Sequence, residues 1–379
     1  MAGTQPDALV CDAQLRNAVA GIRGLGRAGV GVAALASRRG AAGLWSRYTS
    51  ARFRGPDALS DGRAFIARVR DIASRHGPVV VYPAREETID ALLAARGRLA
   101  PATLPYPNPD ALGPIRDKRL LSDVAREAAV AAPATLAAAS AGELRGASLP
   151  LPCVIKPALP GSALGSAHRV TTPEEADALL ARVPDSEQVL VQERLTGPLC
   201  GVALVVDRGG RLAARFQQSA PRLWPIGAGM SRLAVSVAPE KSVVAAAQRV
   251  LAAVGYTGLA QLQFVRSPSG PVLVDVNPRF YGSLPLALAT GVNLPAVWHG
   301  ALAGDRLPGP CTYRVGVTYR WLEGDVLAAV RGSVRPLATR APSPRVGAVW
   351  APDDPLPSAL LATDAVAFGV RGAARRLGS

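Results

Sequence analysis

The stretch VLVDVNPRFYGSLP, residues 272–285, decides how the rest of the chain is read. An apolar run of strand type carries Asp275 and Asn277 two positions apart, breaks at Pro278 and then presents Arg279. A carboxylate in such a run is costly without a partner, so Asp275 needs a counter-ion or a chemical task. Alternate residues share a face of a strand, which puts Asp275 and Asn277 on one side. The run LAQLQFV at 259–265, followed by the turn residues RSPSG, predicts an antiparallel partner strand whose Gln261 and Gln263 also share a face. Turn length alone leaves the register open. If Gln263 lies opposite Asp275, one face gathers Gln, Asp and Asn oxygens, a hard-oxygen set suited to a magnesium ion that is also bound to phosphate. The alternative is the polar solvent face of an amphipathic strand.

Lysine usage points the same way. Of 43 basic residues only Lys118, Lys156 and Lys241 are lysines. In so arginine-rich a chain, a lysine marks a place that needs a compact ammonium on a slim stem. Lys156 ends an apolar strand just before the Gly/Ser loop PGSALGS, and Lys118 sits in the first turn of a helix expected from about Asp117 to before Pro133. Both positions suit phosphate; Lys241, in APEKS, reads as surface. No Gly-Lys dipeptide occurs, which excludes a Walker-type phosphate loop. Gly24, Gly26 and Gly29 spell G-x-G-x-x-G, but a helix over about 14–25 precedes them. They are therefore expected to close a helix instead of following a strand, and the dinucleotide reading is rejected.

The chain of 379 residues, 49% apolar, can bury large cores and suggests two or three domains. Residues 1–95 alternate strand and helix, with PVVVYP at 78–83 as one buried strand, which implies a parallel sheet covered by helices. Prolines 101, 105, 107, 109 and 114 mark a connector. Later segments predict a lone helix capped by Thr172, a strand QVLVQERLTG, a helix ended by Gly255, a Pro-rich run over 335–357 and a last helix over about 358–376. The longest stretch without formal charge, Phe280 to Gly304, is interrupted by Pro285, Gly291, Asn293 and Pro295, so a membrane span is rejected. The amino-terminal residues lack the pattern of a secretory leader, and a cytoplasmic location is expected. Cys11, Cys153, Cys200 and Cys311 form no C-x-x-C pair, and His76, His168 and His299 are scattered, so neither zinc nor a histidine base has support. The net charge of +15 is spread, with 15 basic against 9 acidic residues over 1–112 and 21 against 14 over 113–320. No basic tail or aromatic-interleaved patch accompanies it, so nucleic acid is not the expected partner, although a small polyanion would be welcome.

The order of DKRLLSDVAREAAVAAPAT, CVIKPALPGSALGSAHRV, VLVQERLTG, GYTGLAQLQFV and VLVDVNPRFYGS resembles the ATP-grasp superfamily, within it the carbamoyl-phosphate-synthase-like carboxylate-amine ligases. The resemblance spans about residues 8–330 and includes YRVGVTYRWLEGD. It implies an α/β class, α+β in the C-terminal part. A Rossmann-like pre-ATP-grasp α/β domain over 1–112 would precede an ATP-grasp domain over 113–320 with a mobile lid at about 130–196. A C-terminal extension over 321–379 would follow. The resemblance further implies that Lys118 and Lys156 contact ATP phosphates and that the loop from Gly161 and Ser162 to Ser166 folds over them. Gln192, Glu193, Arg194 and Leu195 would form the adenine hinge, and Gln263, Asp275 and Asn277 would hold Mg²⁺ or Mn²⁺. Arg279 would act with Lys156 in catalysis, on the transferred phosphoryl group or a substrate carboxylate. Many family members have Glu where this chain has Gln263 and Asp275, and TGPLCG after the hinge lacks an acid often used to hold ribose. The implied partners are small-molecule carboxylate and amine substrates, with no nucleic acid and no membrane; a homodimer is allowed. The implied activity is ADP-forming carboxylate ligation, with a catalytically silent ATP-binding regulator or scaffold as the alternative. QQSAPRLWPIGAGMS offers Arg222 and Trp224 as further lining candidates.

Overall fold

The computed structural model describes residues 6–77, 79–159, 161–224, 229–305, 307, 309–330 and 345–361. The chain divides into two compact units, one drawn from 1–107, 279–306 and 316–379, the other from 108–278 and 307–315.

The first unit begins β1 (Ala8–Val10), α1 (Arg16–Arg27), β2 (Val32–Ala36), β3 (Thr49–Arg54), α2 (Gly62–His76), β4 (Val80–Tyr82) and α3 (Glu86–Ala94). The strands form a parallel sheet in the order β3-β2-β1-β4. β1 and β2 are buried along their whole length, as parallel strands covered by helices must be. Leu9, Leu35, Phe65, Val69, Ile72, Val81 and Leu92 share one core there. The glycine pattern has a different cause from the one its spacing suggested. Only Gly29, with φ +83°, lies past the end of α1; Gly24 and Gly26 are inside it. A Cβ on Gly26 would lie 2.5 Å from Cβ of Tyr48, and one on Gly24 2.7 Å from Cγ of Pro295, so these two glycines permit close packing.

The second unit contains α4 (Leu112–Arg116), α5 (Lys118–Glu127), β5 (Thr135–Ser140), α6 (Ala141–Leu144), β6 (Cys153–Pro157), β7 (His168–Val170), α7 (Pro173–Leu180) and β8 (Gln188–Glu193). It continues with β9 (Leu199–Val206), β10 (Leu212–Trp224), β11 (Met230–Ser236), α8 (Lys241–Ala253), β12 (Gly258–Ser267) and β13 (Gly270–Asn277). α5 starts on the side chain of Asp117, which accepts from the Arg119 N–H, and stops at Glu127, well short of Pro133, because Ala129 takes φ +51°. Thr172 caps α7 by accepting from the Glu175 N–H, the exchange its sequence predicts. β5, β8, β6 and β7 form one antiparallel sheet, and its Ile155 and Val191 share a core with Leu180 of α7. β13, β12, β9, β10 and β11 adjoin in that order in an antiparallel sheet whose strand β9 is buried at every residue.

The chain then returns to the first unit through α9 (Leu284–Thr290), α10 (Leu294–Ala303), β14 (Thr318–Arg320), α11 (Leu322–Val330) and β15 (Arg345–Gly347). α9 and α10 are bent by 89° at Gly291, whose φ is +105°, and among the described residues no single helix is long and apolar enough to cross a membrane. Phe280, Trp298 and Tyr82 pack their rings together here, Tyr82 and Phe280 stacked at 5.6 Å. Of the expected last helix, residues 356–361 are helical; residues 335–344 of the Pro-rich run and 362–376 lie outside the described residues.

Candidate active site

The hairpin β12–β13 pairs Gln263 with Asp275 and Gln261 with Asn277, the register that the hard-oxygen reading requires. Between Gln263 and Phe264 the ladder slips: Phe264 faces Leu273, so Val274 is an extra residue without a cross-strand partner. This bulge changes what the backbone offers, because an unpaired strand residue can turn its carbonyl to another group. Lys156, from β6 in the other sheet of the same unit, donates from Nζ to that carbonyl oxygen at 3.4 Å.

Lys118 reaches the same edge. Its backbone N–H donates to the Ala158 carbonyl just beyond β6, at 3.0 Å, which holds the start of α5 against the end of the strand that carries Lys156. Its ammonium lies 3.6 Å from Oδ1 of Asp275, whose Oδ2 accepts from Nδ2 of Asn277 at 3.2 Å. Lys156 is 5% exposed. Burial, the nearby Lys118 charge and, in the opposite sense, Asp275 together bring its pKa down to about 7.

Gln192 and Glu193, expected in the adenine hinge, lie on β8, the strand paired with the one that carries Lys156. Lys156 faces Leu190 across the ladder and Glu193 faces Cys153. Gln192 is buried and donates to Oγ1 of Thr135 at 3.2 Å. Glu193 binds Ala134 twice, accepting from its N–H at a side-chain oxygen and donating to its carbonyl. Arg194 and Leu195 follow, half-buried. Between β6 and β7, Gly161 has φ +80° and the Ser162 hydroxyl accepts from the Leu164 N–H at 3.0 Å. Arg222 and Trp224 are half-buried in the last residues of β10, where a register shift beside Arg222 interrupts the pairing with β11.

Arg279 belongs to the first unit, while Asp275 and Asn277 belong to the second. There its Nε donates to Oε1 of Glu86 at 2.6 Å and its Nη1 to the Phe280 carbonyl at 3.2 Å. Glu86 opens α3, four positions after the last residue of β4. Its link to Arg279 could not be read from the sequence, although an acidic pair opening the helix after a parallel strand was a usable signal. Sequence reading also passed over Val274, since a bulge leaves no mark in an unbroken apolar run.

By donor type, Gln263, Asp275 and Asn277 fit a hard divalent cation. Among the described residues no group of three His, Cys, Asp or Glu residues could hold a metal.

A protein-family model described as ATP-grasp in the biosynthetic pathway with Ter operon matches residues 185–324. The fold is similar to that of biotin carboxylase from Campylobacter jejuni, solved in complex with an ATP species, at TM-score 0.62 and 14% identity over 82% of this chain and 74% of that one. It is similar as well to N5-carboxyaminoimidazole ribonucleotide synthetase from Thermus thermophilus, at TM-score 0.60 and 18% identity, covering 80% of this chain and 79% of that one. An L-amino acid ligase from Bacillus licheniformis matches at TM-score 0.61 and 16% identity over 79% and 76%. No curated protein matches at the level of sequence. With its α/β first unit and the two antiparallel sheets of its second, the chain shares the fold of these structures, and its residues 185–324 match an ATP-grasp family model.

Proposed function

We propose that the protein is an ATP-dependent, ADP-forming carboxylate-amine ligase. A substrate carboxylate oxygen attacks the γ-phosphorus, the bond to the β–γ bridging oxygen breaks and ADP leaves. An amine or similar nucleophile then attacks the acyl carbon, its proton is lost to solvent and inorganic phosphate departs. The observation that carries this reading is the meeting of Lys118, Lys156 and Asp275 within one unit, two rare ammoniums against the acid of a Gln/Asp/Asn edge.

In this reading Lys118 and Lys156 bind the phosphates, Lys156 recovering its full charge as it does so. The loop from Gly161 and Ser162 covers them, and the backbone at 192–195 hydrogen-bonds the adenine edge. Gln263, Asp275 and Asn277 hold magnesium or manganese, which, when bound, neutralises phosphate charge. Arg279 orients the carboxylate or the transferred phosphoryl group. Little protein acid–base chemistry is needed, which suits a chain with three histidines. We assign 1–112 to the pre-ATP-grasp domain, 113–320 to the ATP-grasp domain and 321–379 to an extension. The segment at about 130–196 is assigned as a lid that excludes water from the acyl phosphate. A cytoplasmic location, small-molecule carboxylate and amine partners and a homodimer complete the proposal.

The test is ADP release with MgATP and pooled amino acids as acids and amines. Lys156→Ala and Asp275→Ala each abolish release while the thermal midpoint stays within a few degrees. Turnover at the wild-type rate in either variant overturns the assignment. The cation set favours a second reading, a silent ATP-binding regulator or scaffold, because it has a single carboxylate and that carboxylate is paired with Lys118. Tight nucleotide binding without turnover on any member of the pool supports that alternative.

A further inference from the structure

Asp275 is the only carboxylate in the cation set, and both of its oxygens are engaged. Oδ1 faces the Lys118 ammonium at 3.6 Å, and Oδ2 accepts from Asn277 Nδ2 at 3.2 Å. The contact with Lys118 is sheltered, the two side chains being 19% and 28% exposed. Gln263 and Asn277 are neutral amides, so the set carries one negative charge and Lys118 cancels it. Affinity for a hard divalent cation follows the number of charged ligands, and magnesium bound through so few carboxylates relies on substrate phosphates for the rest. A cation arriving alone must displace an ammonium and turn an amide before it gains a carboxylate. A triphosphate removes that obstacle, because it offers Lys118 another anion and brings oxygens of its own to the ion.

We infer that Lys118 occupies the cation's place on Asp275 and closes it until nucleotide phosphate draws the ammonium away. The metal therefore binds with the nucleotide and is not resident. This rests on the reading of the hairpin as the nucleotide–metal site. It adds that the closing element is one residue, Lys118, which the sequence marks as one of three lysines in 379 residues.

The experiment titrates Mn²⁺ alone against the full chain and follows loss of the free-ion EPR signal. Wild type is expected to bind Mn²⁺ weakly, and Lys118→Met about tenfold more tightly, since removing a neighbouring like charge is worth at least that factor. Lys118→Arg, which keeps the charge, is expected to gain nothing. Asp275→Asn in the Lys118→Met background is expected to erase the gain. Lys118→Gln replaces Met if that variant does not fold. Equal Mn²⁺ affinity in wild type and the neutral variants overturns the inference, and so does a gain that survives Asp275→Asn. Calorimetry of a non-hydrolysable ATP analogue with and without Mg²⁺ separates the two levels of the argument. Wild type that fails to bind the analogue refutes the nucleotide site itself. Wild type that binds it more tightly with Mg²⁺, alongside a neutral variant with unchanged Mn²⁺ affinity, refutes the closing role alone.

Discussion

Arg279 and Glu86 stand 193 positions apart and meet in the first unit, Nε to Oε1 at 2.6 Å with both side chains less than one-fifth exposed. The carbonyl of Phe280 holds the guanidinium at Nη1, so its plane is fixed from two sides. A preset guanidinium binds a carboxylate with less loss of rotamer freedom than a loose one. Glu86→Ala is expected to lower kcat/KM for the carboxylate about tenfold, equivalent to ~1.4 kcal/mol. The KM for ATP should not change. Glu86→Gln keeps an acceptor oxygen and should recover part of the loss. Steady-state ADP release with each substrate varied in turn reads this split; an equal rise in both KM values means that Glu86 does not act through Arg279.

Lys156 gives a proton-linkage prediction whose sign follows from burial. Its pKa in the free protein is about 7, below the ordinary lysine value, so the amine is mostly neutral at pH 8. Phosphate at the ammonium favours the charged form and raises the pKa again. Nucleotide binding at pH 8 should then take up about 0.9 proton, and at pH 6, where the amine is already charged, about 0.1. The same depression makes the unfolded chain the better proton acceptor between about pH 7 and pH 10. This group's contribution to stability therefore rises with pH across that window and is lost as pH falls through 7. Calorimetry in buffers of different ionisation enthalpy measures the uptake, and Lys156→Met should abolish it. Uptake that persists in that variant assigns the proton elsewhere.

The glycines of α1 supply a test of packing against cofactor binding. A Cβ on Gly26 would press on the Tyr48 side chain at 2.5 Å. Overpacking of this kind costs about 1–3 kcal/mol. Gly26→Ala is therefore expected to lower the thermal midpoint while leaving affinity for an ATP analogue unchanged. Weakened nucleotide affinity at unchanged stability would revive the dinucleotide reading of G-x-G-x-x-G.

Much of the candidate site's arrangement was legible because its pattern is local. Period-2 alternation put Asp275 with Asn277 and Gln261 with Gln263, and the hairpin turn confined the partner strand to a few registers. Lys118 and Lys156 stood out by rarity in an arginine-rich chain. What was not legible depends on backbone detail or on contacts distant in sequence. The bulge at Val274 shifts one side of a ladder without changing its apolar pattern. The Gly24 and Gly26 contacts depend on Pro295 and Tyr48, which no spacing rule connects to α1. Glu86 draws its meaning from Arg279, and α5 ended early because Ala129 adopts a left-handed conformation that its residue type disfavours.

The same distance in sequence hides the most buried ion pair among the described residues, Arg23 with Asp354. Arg23 donates from Nε to Oδ2 of Asp354 at 2.9 Å, from Nη2 to the Asp354 carbonyl at 2.7 Å and from Nη1 to the Val349 carbonyl. The Ser46 hydroxyl and the Arg47 N–H complete the carboxylate's partners. The residues are 4% and 1% exposed, and burial lowers the Arg23 pKa while Asp354 opposes the shift. Removing one member of such a pair leaves a buried charge without compensation, at a cost of about 3–5 kcal/mol. Asp353, next in sequence, pairs with Arg27 through two bonds at 2.9 and 2.8 Å, but at the surface. A surface pair is worth at most about 1 kcal/mol. Urea denaturation of the full chain should therefore show Asp354→Ala severely destabilised and Asp353→Ala only slightly. Equal losses would mean that residues 345–361 are held by their apolar contacts, with Arg23 contributing no more than a surface charge.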